Sequence, residues 1–230
     1  MKKFGYRGLV RSSDFINGEQ LAQAIGLKEG EPQHSDCDWM HFILEGQEIL
    51  VPTKTFRYCI SWRAIYERGV VYSDTEGHGP HPGGSGVNQN QYVTVNGDRY
   101  KVTLLKGVNN ENIKLDSDIV YDLESTWNSE WNQLMYRVHD GIHNPTHSNP
   151  TNPSHPYGVW DGLSDTQLSL DYLSGCDGTA SWCQERGFDI RDSHHDRRVY
   201  RGYRGVSSVR CNHVSNSGSY LGWRPALRKI

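Results

Sequence analysis

Two stretches of this chain are too rich in Gly, Pro, Asn and His for regular structure, and they constrain the fold more than any other feature. They are residues 74–91, DTEGHGPHPGGSGVNQNQ, and residues 139–158, HDGIHNPTHSNPTNPSHPYG. Proline removes a backbone donor, and glycine loses the most conformational entropy when it is ordered. Both stretches therefore predict exposed loops, so the regular elements must be short and lie between and beside them.

The clearest regular element is a β-hairpin over residues 92–105, YVTVNGDRYKVTLL. Its apolar positions alternate on both sides of the Asn-Gly pair at 96–97, which tolerates the positive φ of a two-residue turn. Residues 39–51, WMHFILEGQEILV, predict a second hairpin that turns at the Glu-Gly pair at 45–46.

Three other segments have helical spacing of their apolar residues. The first follows Ser13-Asp14 and ends near Gly26, the second is a brief helix after the strand in FRYCISWRAIYERGVVY, and the third lies in STWNSEWNQLMYRV. Ser125 or Thr126 is the expected cap of the third helix. The side chains expected to share a face are, in chain order, Ile16, Leu21, Ala24 and Ile25, then Trp62, Ile65 and Tyr66, then Trp131, Leu134, Met135 and Val138.

The apolar content is shifted from aliphatic to aromatic residues. Leu, Ile, Val and Phe together supply only about a fifth of the chain, whereas there are 7 Trp and 13 Tyr. Aromatic side chains carry large contact areas at low entropic cost, and the tips of Tyr and Trp tolerate water. This composition suits recognition surfaces as well as cores.

The charge and the thiols limit the classes of partner. A formal net charge of −3, from 24 basic and 27 acidic residues, gives no field for a polyanion, so we expect no nucleic acid partner.

No window approaches the roughly 18 apolar residues of a membrane span, and the start lacks a secretory signal, which predicts synthesis in the cytoplasm and no membrane insertion. The odd number of cysteines, 5, favours reduced thiols. A bond between Cys176 and Cys183 after release to an oxidising medium is the alternative.

The histidines and carboxylates do not form a metal-binding or catalytic motif. His139, His143 and His147 recur every four residues and His155 follows, but the intervening prolines exclude the helix that would align them, so a solvated loop is favoured. The pair His194-His195, flanked by Asp189, Asp192 and Asp196, indicates a charged turn. No G-x-S-x-G or phosphate loop occurs. Pairing of Asp36 with Asp38 or of Asp161 with Asp165 for glycoside chemistry would depend on their distance in space. We expect no enzyme and no cofactor, and leave a structural calcium open.

The last third of the chain resembles a known family. SWCQERG at 181–187, RVYRGYRGVSSV at 198–209 and GWRPALR at 222–228 are similar to the closing segments of phage tail or virion proteins with a C-type-lectin-like domain. That fold is shared with the formylglycine-generating-enzyme superfamily and with the variable proteins of diversity-generating retroelements. ILVPTKTFRYCISWRAIYERGVVY, VNGDRYKVTLLKG and NSEWNQLMYRV also resemble such phage proteins, so the resemblance covers most of the chain.

The resemblance implies an α+β protein with a C-type-lectin-like C-terminal domain, a small mixed N-terminal part, short strands and long irregular loops. The expected boundary separates a phage-specific, strand-rich part at 1–120 from a ligand-display domain at 121–230, or the two share one core. In the family the ending is a scaffold: Gly222 permits close backbone approach, Trp223 fills the core, and Arg224 pairs inside, with Trp182 as a further anchor.

In the same family a long irregular segment before this ending displays side chains to solvent, here at about 200–221. Tyr, Ser and Asn are favoured in adaptable binding surfaces. Asn, Ser, Tyr, His and Arg are also common products of retroelement diversification. The residues expected to bind a ligand are Tyr203, Ser207, Ser208, Arg210, Asn212, His213, Ser215, Asn216, Ser217, Ser219 and Tyr220.

The resemblance implies a tail-tip or receptor-binding protein of the virion. Its expected partners are a bacterial surface glycan or protein, other phage tail proteins, and further copies of itself, for example in a trimer. Two alternatives stay open. One is a purely structural virion protein. The other is a thiol oxidase of the formylglycine-generating type, although that enzyme needs two nearby copper-binding cysteines and residues 206–210 beside Cys211 contain none.

Overall fold

The structure is a computed structural model that describes residues 4–73, 77–79, 86–110, 113–115, 120–121, 126, 128–139, 162–170, 177–189 and 196–230. Within these ranges strands predominate over helices and the class is α+β, which confirms the predicted class. The helical elements are a 3₁₀ turn (Ser12–Asp14), α1 (Gly18–Ala24), α2 (Trp62–Glu67), a π-helix (Asn132–Tyr136) and α3 (Asp165–Leu168). The strands are β1 (Phe4–Val10), β2 (Glu31–Pro32), β3 (Trp39–Leu44), β4 (Gln47–Pro52), β5 (Arg57–Tyr58), β6 (Tyr92–Val95), β7 (Asp98–Thr103), β8 (Ile113–Leu115), β9 (Val120–Tyr121), β10 (Ala180–Asp189), β11 (Arg197–Gly202), β12 (Gly205–His213), β13 (Leu221–Trp223) and β14 (Ala226–Lys229).

Both predicted hairpins are confirmed, and their turns have the same backbone geometry. Glu45 and Gly46 have φ values of 52° and 89°, and Asn96 and Gly97 have values of 50° and 87°. Two successive positive φ angles match the right-handed twist of the flanking strands. The turns therefore fix the registers of β3 with β4 and of β6 with β7.

The predicted helices are also present. Asn17 caps α1 by accepting a hydrogen bond from the backbone N–H of Gln20, whose side chain accepts one in return. In the third segment the cap differs from the prediction. Ser129 Oγ accepts the backbone N–H of Asn132 at 3.2 Å, while Thr126 lies in a separate 3₁₀ turn and Ser125 is outside the described residues.

The first sheet has the order β1-β3-β4-β14-β7-β6. Strand β14 lies inside it and pairs antiparallel with both neighbours, so that Leu227 is opposite Leu50 on β4 and Val102 on β7. The second sheet has the order β2-β5-β13-β10-β11-β12-β9, and β8 pairs with β10. Strands from both sides of residue 120 therefore occur in each sheet.

The central strands of the first sheet are buried on both faces. Because successive side chains of a strand point to opposite faces, each face packs into a different hydrophobic cluster. Leu50 and Leu227 belong to a first cluster, whereas Ile49, Val51 and Ala226 belong to a second. The first cluster also holds residues of α1, α2 and the second sheet, and the second cluster holds the residues around the π-helix. The inward-facing residues predicted for the second and third helices are all in these clusters, namely Trp62, Ile65, Tyr66, Trp131, Leu134, Met135 and Val138.

Among the described helices, none has the length and apolar character needed to cross a membrane.

Candidate functional site

Strands β10, β11 and β12 place a row of side chains on one face of the second sheet. Tyr200 on β11 lies opposite Trp182 on β10 and opposite Arg210 on β12. Arg198 likewise lies opposite Asn212. Because successive side chains of a strand alternate between faces, these five residues share the face that holds the first cluster.

Three tyrosine rings pack together at one end of this row. Tyr200 is 2% exposed, whereas Tyr203 and Tyr220 are half-buried. The ring centroids of Tyr203 and Tyr220 are 5.0 Å apart, and they lie 6.3 Å and 5.9 Å from that of Tyr200. Edge and tilted contacts at these distances are favourable for aromatic quadrupoles. We call Tyr203 and Tyr220, packed on Tyr200, the tyrosine platform.

Side-chain amides fix the position of the platform. Asn212 Nδ2 donates a hydrogen bond to the hydroxyl of Tyr220 at 2.6 Å, and Asn216 Nδ2 donates to Asn212 Oδ1 at 3.1 Å. The oxygen of Asn216 in turn accepts the backbone N–H of Gly218 at 2.8 Å. Since each amide is held by the next, the ring of Tyr220 is oriented before any ligand arrives.

Two guanidinium groups lie beside the platform. The Cζ atom of Arg210 is 5.1 Å from the ring centroid of Tyr203, and that of Arg204 is 5.9 Å from it. Arg204 is exposed and Arg210 is half-buried. Both distances allow attraction between the cation and the negative ring face. The platform therefore combines aromatic and positively charged groups.

The phenols of Tyr200 and Tyr220 stay neutral. Burial raises the pKa of Tyr200 far above its usual value, and the charge of Arg210 opposes this shift only in part. Burial also raises the pKa of Tyr220, against the opposing effects of Arg210 and the hydrogen bond from Asn212. At neutral pH these residues therefore present hydroxyl groups and not anions.

Of the remaining predicted residues, His213 ends β12, and Ser215, Ser217 and Ser219 lie in the turn that follows it. Ser215 Oγ and His213 Nδ1 are 2.7 Å apart, and both Ser215 and Ser217 are exposed. The carbonyl of Ser219 accepts the backbone N–H of Gly178 at 2.8 Å, which ties this turn to the start of β10. This turn and the platform are joined by Asn212 and Asn216.

Two predicted positions do not face solvent. Ser207 and Ser208 are both 0% exposed, so the expectation that they display their side chains is wrong. Of the segment expected to be irregular at about 200–221, residues 205–213 form strand β12 and residues 214–220 form a turn. The backbone of β12 pairs with β11 on one side and with β9 on the other. This pairing satisfies the backbone groups that a loop would have left to water.

The tryptophan and glycine anchors lie deep in the fold. Trp182 is 1% exposed and its indole N–H donates to the carbonyl of Ile60 at 2.8 Å, while Trp223 is 0% exposed. A Cβ added to Gly222 would lie 2.5 Å from the carbonyl oxygen of Gly178. No side chain fits at that distance, so the close backbone approach requires glycine.

Arg224 is a buried cation held by neutral oxygens. Its Nε donates to Ser181 Oγ at 3.1 Å, its Nη1 donates to the carbonyl of Thr53 at 2.8 Å, and its Nη2 donates to the carbonyl of Leu168. Burial lowers the pKa of Arg224 to about 10, so the group stays charged at neutral pH. The guanidinium thereby joins the segment after β4, the start of β10 and the end of α3.

Cys183 and Cys211 are reduced thiols on strands that are not neighbours, too far apart along the sheet for a disulfide bond. Val199 on β11 pairs with Cys211 on β12, and Cys183 lies on β10, on the other side of β11. Two strand spacings amount to about 9.6 Å, whereas bridged cysteines have Cα atoms within about 7 Å. Cys183 is a free, fully buried thiol whose pKa is raised well above its usual value by burial. Cys176 is outside the described residues.

The first histidine of the predicted series is part of the fold. His139 is 1% exposed, and its Nε2 lies 2.9 Å from Asp165 Oδ1 at the start of α3. In the part of the chain that the structure describes, no group of three or more His, Cys, Asp and Glu residues could hold a metal ion. The other histidines considered above as metal ligands lie outside that part, namely His143, His147, His155, His194 and His195.

Two residues of the site, Tyr200 and Arg204, were missed by sequence reasoning. A signal was present, because Tyr-Arg-Gly occurs twice in succession at 200–205. A tandem triplet in a chain without longer repeats marks both tyrosines and both arginines as candidates. Only the structure shows that Tyr200 and Arg201 of the first triplet are buried, whereas Tyr203 and Arg204 of the second reach the surface.

No protein-family model, no curated protein and no solved structure matches this chain.

Proposed function

We propose that this chain is a tail-tip or receptor-binding protein of a phage, which binds a glycan or protein of the bacterial surface and does no catalysis. The observation that supports this proposal is the tyrosine platform. Two half-buried aromatic rings rest on a buried third ring and are oriented by side-chain amides. A surface that is ordered in advance loses little entropy when it binds, which favours affinity.

The proposed surface departs from the sequence prediction at three positions. It omits Ser207 and Ser208, which are buried, and gains Arg204, which is exposed beside Tyr203. Its residues are Tyr203, Arg204, Arg210, Asn212, His213, Ser215, Asn216, Ser217, Ser219 and Tyr220.

We test this function by replacing both rings of the platform. Tyr203→Ala with Tyr220→Ala should weaken binding of the full chain to cells of the phage's bacterial host by at least about tenfold, because truncation of central aromatic residues commonly costs about 2 kcal/mol or more. Binding of labelled protein to cells measures the effect, and thermal melting reports whether the variant folds.

Tyr92→Ala is the matched control. Tyr92 is a half-buried tyrosine with an arginine, Arg99, 4.1 Å over its ring, but it lies on the edge strand β6 of the first sheet. Its loss should leave cell binding unchanged. Unchanged binding by the double platform variant would instead support a purely structural virion protein.

We further propose a C-type-lectin-like fold and a place at the tail tip in several copies, such as a trimer. The shared packing of Trp182, Trp223 and Tyr200 in the first cluster supports a rigid frame beneath a display surface. Repeated copies would raise the avidity of a weak contact. Electron microscopy of the phage particle should show this chain at the tail tip in symmetric copies, and its absence from the particle would refute this placement.

A further inference from the structure

In the part of the chain that the structure describes, the charged side chains beside the tyrosine platform pair with no acidic side chain. The side chains of Arg204 and Arg210 form no hydrogen bond or ion pair with another residue in the described part of the chain. Their contacts are with the ring of Tyr203. Asp165, close to the start of β12, is already bonded to His139 at 2.9 Å. Among the described residues, no carboxylate therefore forms an ion pair with Arg204 or Arg210.

Both guanidinium groups lie within 6 Å of the centroid of one ring. An anion placed beside that ring would be attracted by both charges. Arginine is suited to this role because its planar donors match the oxygens of a carboxylate or phosphate in pairs. The charge thus favours a ligand with an acidic group.

Four backbone N–H groups next to the platform already have acceptors within the protein. The N–H of His213 donates to Asn212 Oδ1, that of Ser215 to His213 Nδ1, that of Asn216 to the carbonyl of His213, and that of Gly218 to Asn216 Oδ1. Recognition of a peptide by strand addition needs free backbone donors and acceptors at an edge. These internal bonds disfavour an acidic peptide.

A sugar ring that carries an acidic group fits the aromatic, amide and guanidinium groups of the platform. The C–H groups on one face of a pyranose carry partial positive charge and are attracted to the negative face of a tyrosine. Its hydroxyl groups can bond to amides such as those of Asn212 and Asn216. We propose that the platform binds an acidic saccharide, with the sugar ring on Tyr203 and Tyr220 and the acidic group at Arg204 and Arg210. This inference rests on the proposed receptor-binding function.

Calorimetric titration of the full chain tests the inference. The probes are short oligogalacturonates, which carry carboxylates, glycan chains substituted with phosphate, and neutral galactose oligomers. We expect binding of at least one acidic probe, weaker binding as salt is added, and weak or no binding of the neutral oligomer. The preferred acidic probe then distinguishes a carboxylate ligand from a phosphate ligand.

The arginines are tested by Arg204→Gln with Arg210→Gln, which keeps the polar character of both side chains and removes their charge. The affinity for the acidic probe should fall at least tenfold, which equals about 1.4 kcal/mol. Arg99→Gln is the matched control, since Arg99 also lies over a tyrosine, at 4.1 Å from the ring of Tyr92. It should leave the affinity unchanged.

Several results would overturn the inference. These are equal binding of the neutral oligomer, absence of binding by both acidic probes, unchanged affinity of the double arginine variant, or equally tight binding of a poly-glutamate peptide. The outcome is separable from that of the proposed function. If the host-cell binding depends on Tyr203 and Tyr220 but not on the two arginines, the receptor-binding role stands and the acidic ligand is wrong.

Discussion

Identical residues in the tandem Tyr-Arg-Gly triplets have opposite environments. Arg201 of the first triplet is 0% exposed and donates to the carbonyl of Gly107 at 2.6 Å and to Asn132 Oδ1 at 2.8 Å. Arg204 of the second triplet is exposed. The turn between them begins at Gly202, which has a φ of 89°. This glycine thus marks where the chain leaves the core for two residues, Tyr203 and Arg204, before it is buried again from Gly205.

Gly202 should be less tolerant of a side chain than a glycine with the same backbone angle. A Cβ at Gly202 would lie 2.7 Å from Leu170 Cδ2 and 2.9 Å from the carbonyl oxygen of Thr179, whereas one at Gly46, also with a φ of 89°, would meet nothing within 4 Å. Gly46→Ala should cost about 1–2 kcal/mol of unfolding free energy from backbone strain, and Gly202→Ala about 1–3 kcal/mol more from overpacking. Urea unfolding measures both, and equal losses would contradict the tight packing around Gly202.

At the scale of elements, local chemistry made the hairpins predictable and distant pairing made β12 unpredictable. The Asn-Gly pair at 96–97 adopts its turn because both residues tolerate a positive φ. Two adjacent residues are therefore enough to predict this turn from the sequence. Ser207 and Ser208 are polar and suggested a surface. Their burial follows from the pairing of β12 with β11 and β9, and β9 lies far away in sequence.

The candidate site was predictable in part for the same reason. Tyr203, Arg210, Asn212, Asn216 and Tyr220 come from one segment rich in side chains that suit recognition, and the structure joins them in one network. Which side chain underlies the platform depends on the register of β11 with β12. No pattern within either strand specifies that register, so the role of Tyr200 could not be deduced.

At the scale of the whole molecule, the two sheets depend on each other through the chain order. Strand β14 lies between β4 and β7 in the first sheet, and it follows directly on β13, which lies between β5 and β10 in the second. Arg224, in the short link between β13 and β14, bonds to three separate segments. A mutation in this link should therefore destabilise both sheets.

Removal of residues 226–230 should prevent folding, because it deletes a strand with partners on both sides. Removal of residues 4–10 is the matched control, since β1 is an edge strand that pairs with β3 alone in the first sheet. The control should lower the melting temperature but keep a cooperative transition. Circular dichroism during heating distinguishes the two, and cooperative melting of the chain without β14 would refute its central role.

The position of β14 also has a consequence for synthesis on the ribosome. The strands that flank it, β4 and β7, are translated long before it, and β12 and β13 are translated just before it. The first sheet therefore stays split into two parts until the ribosome has passed the codons for β12 and β13. A nascent chain interrupted within those codons lacks the strand that closes the sheet, so premature termination there yields an unfolded product for proteases to remove.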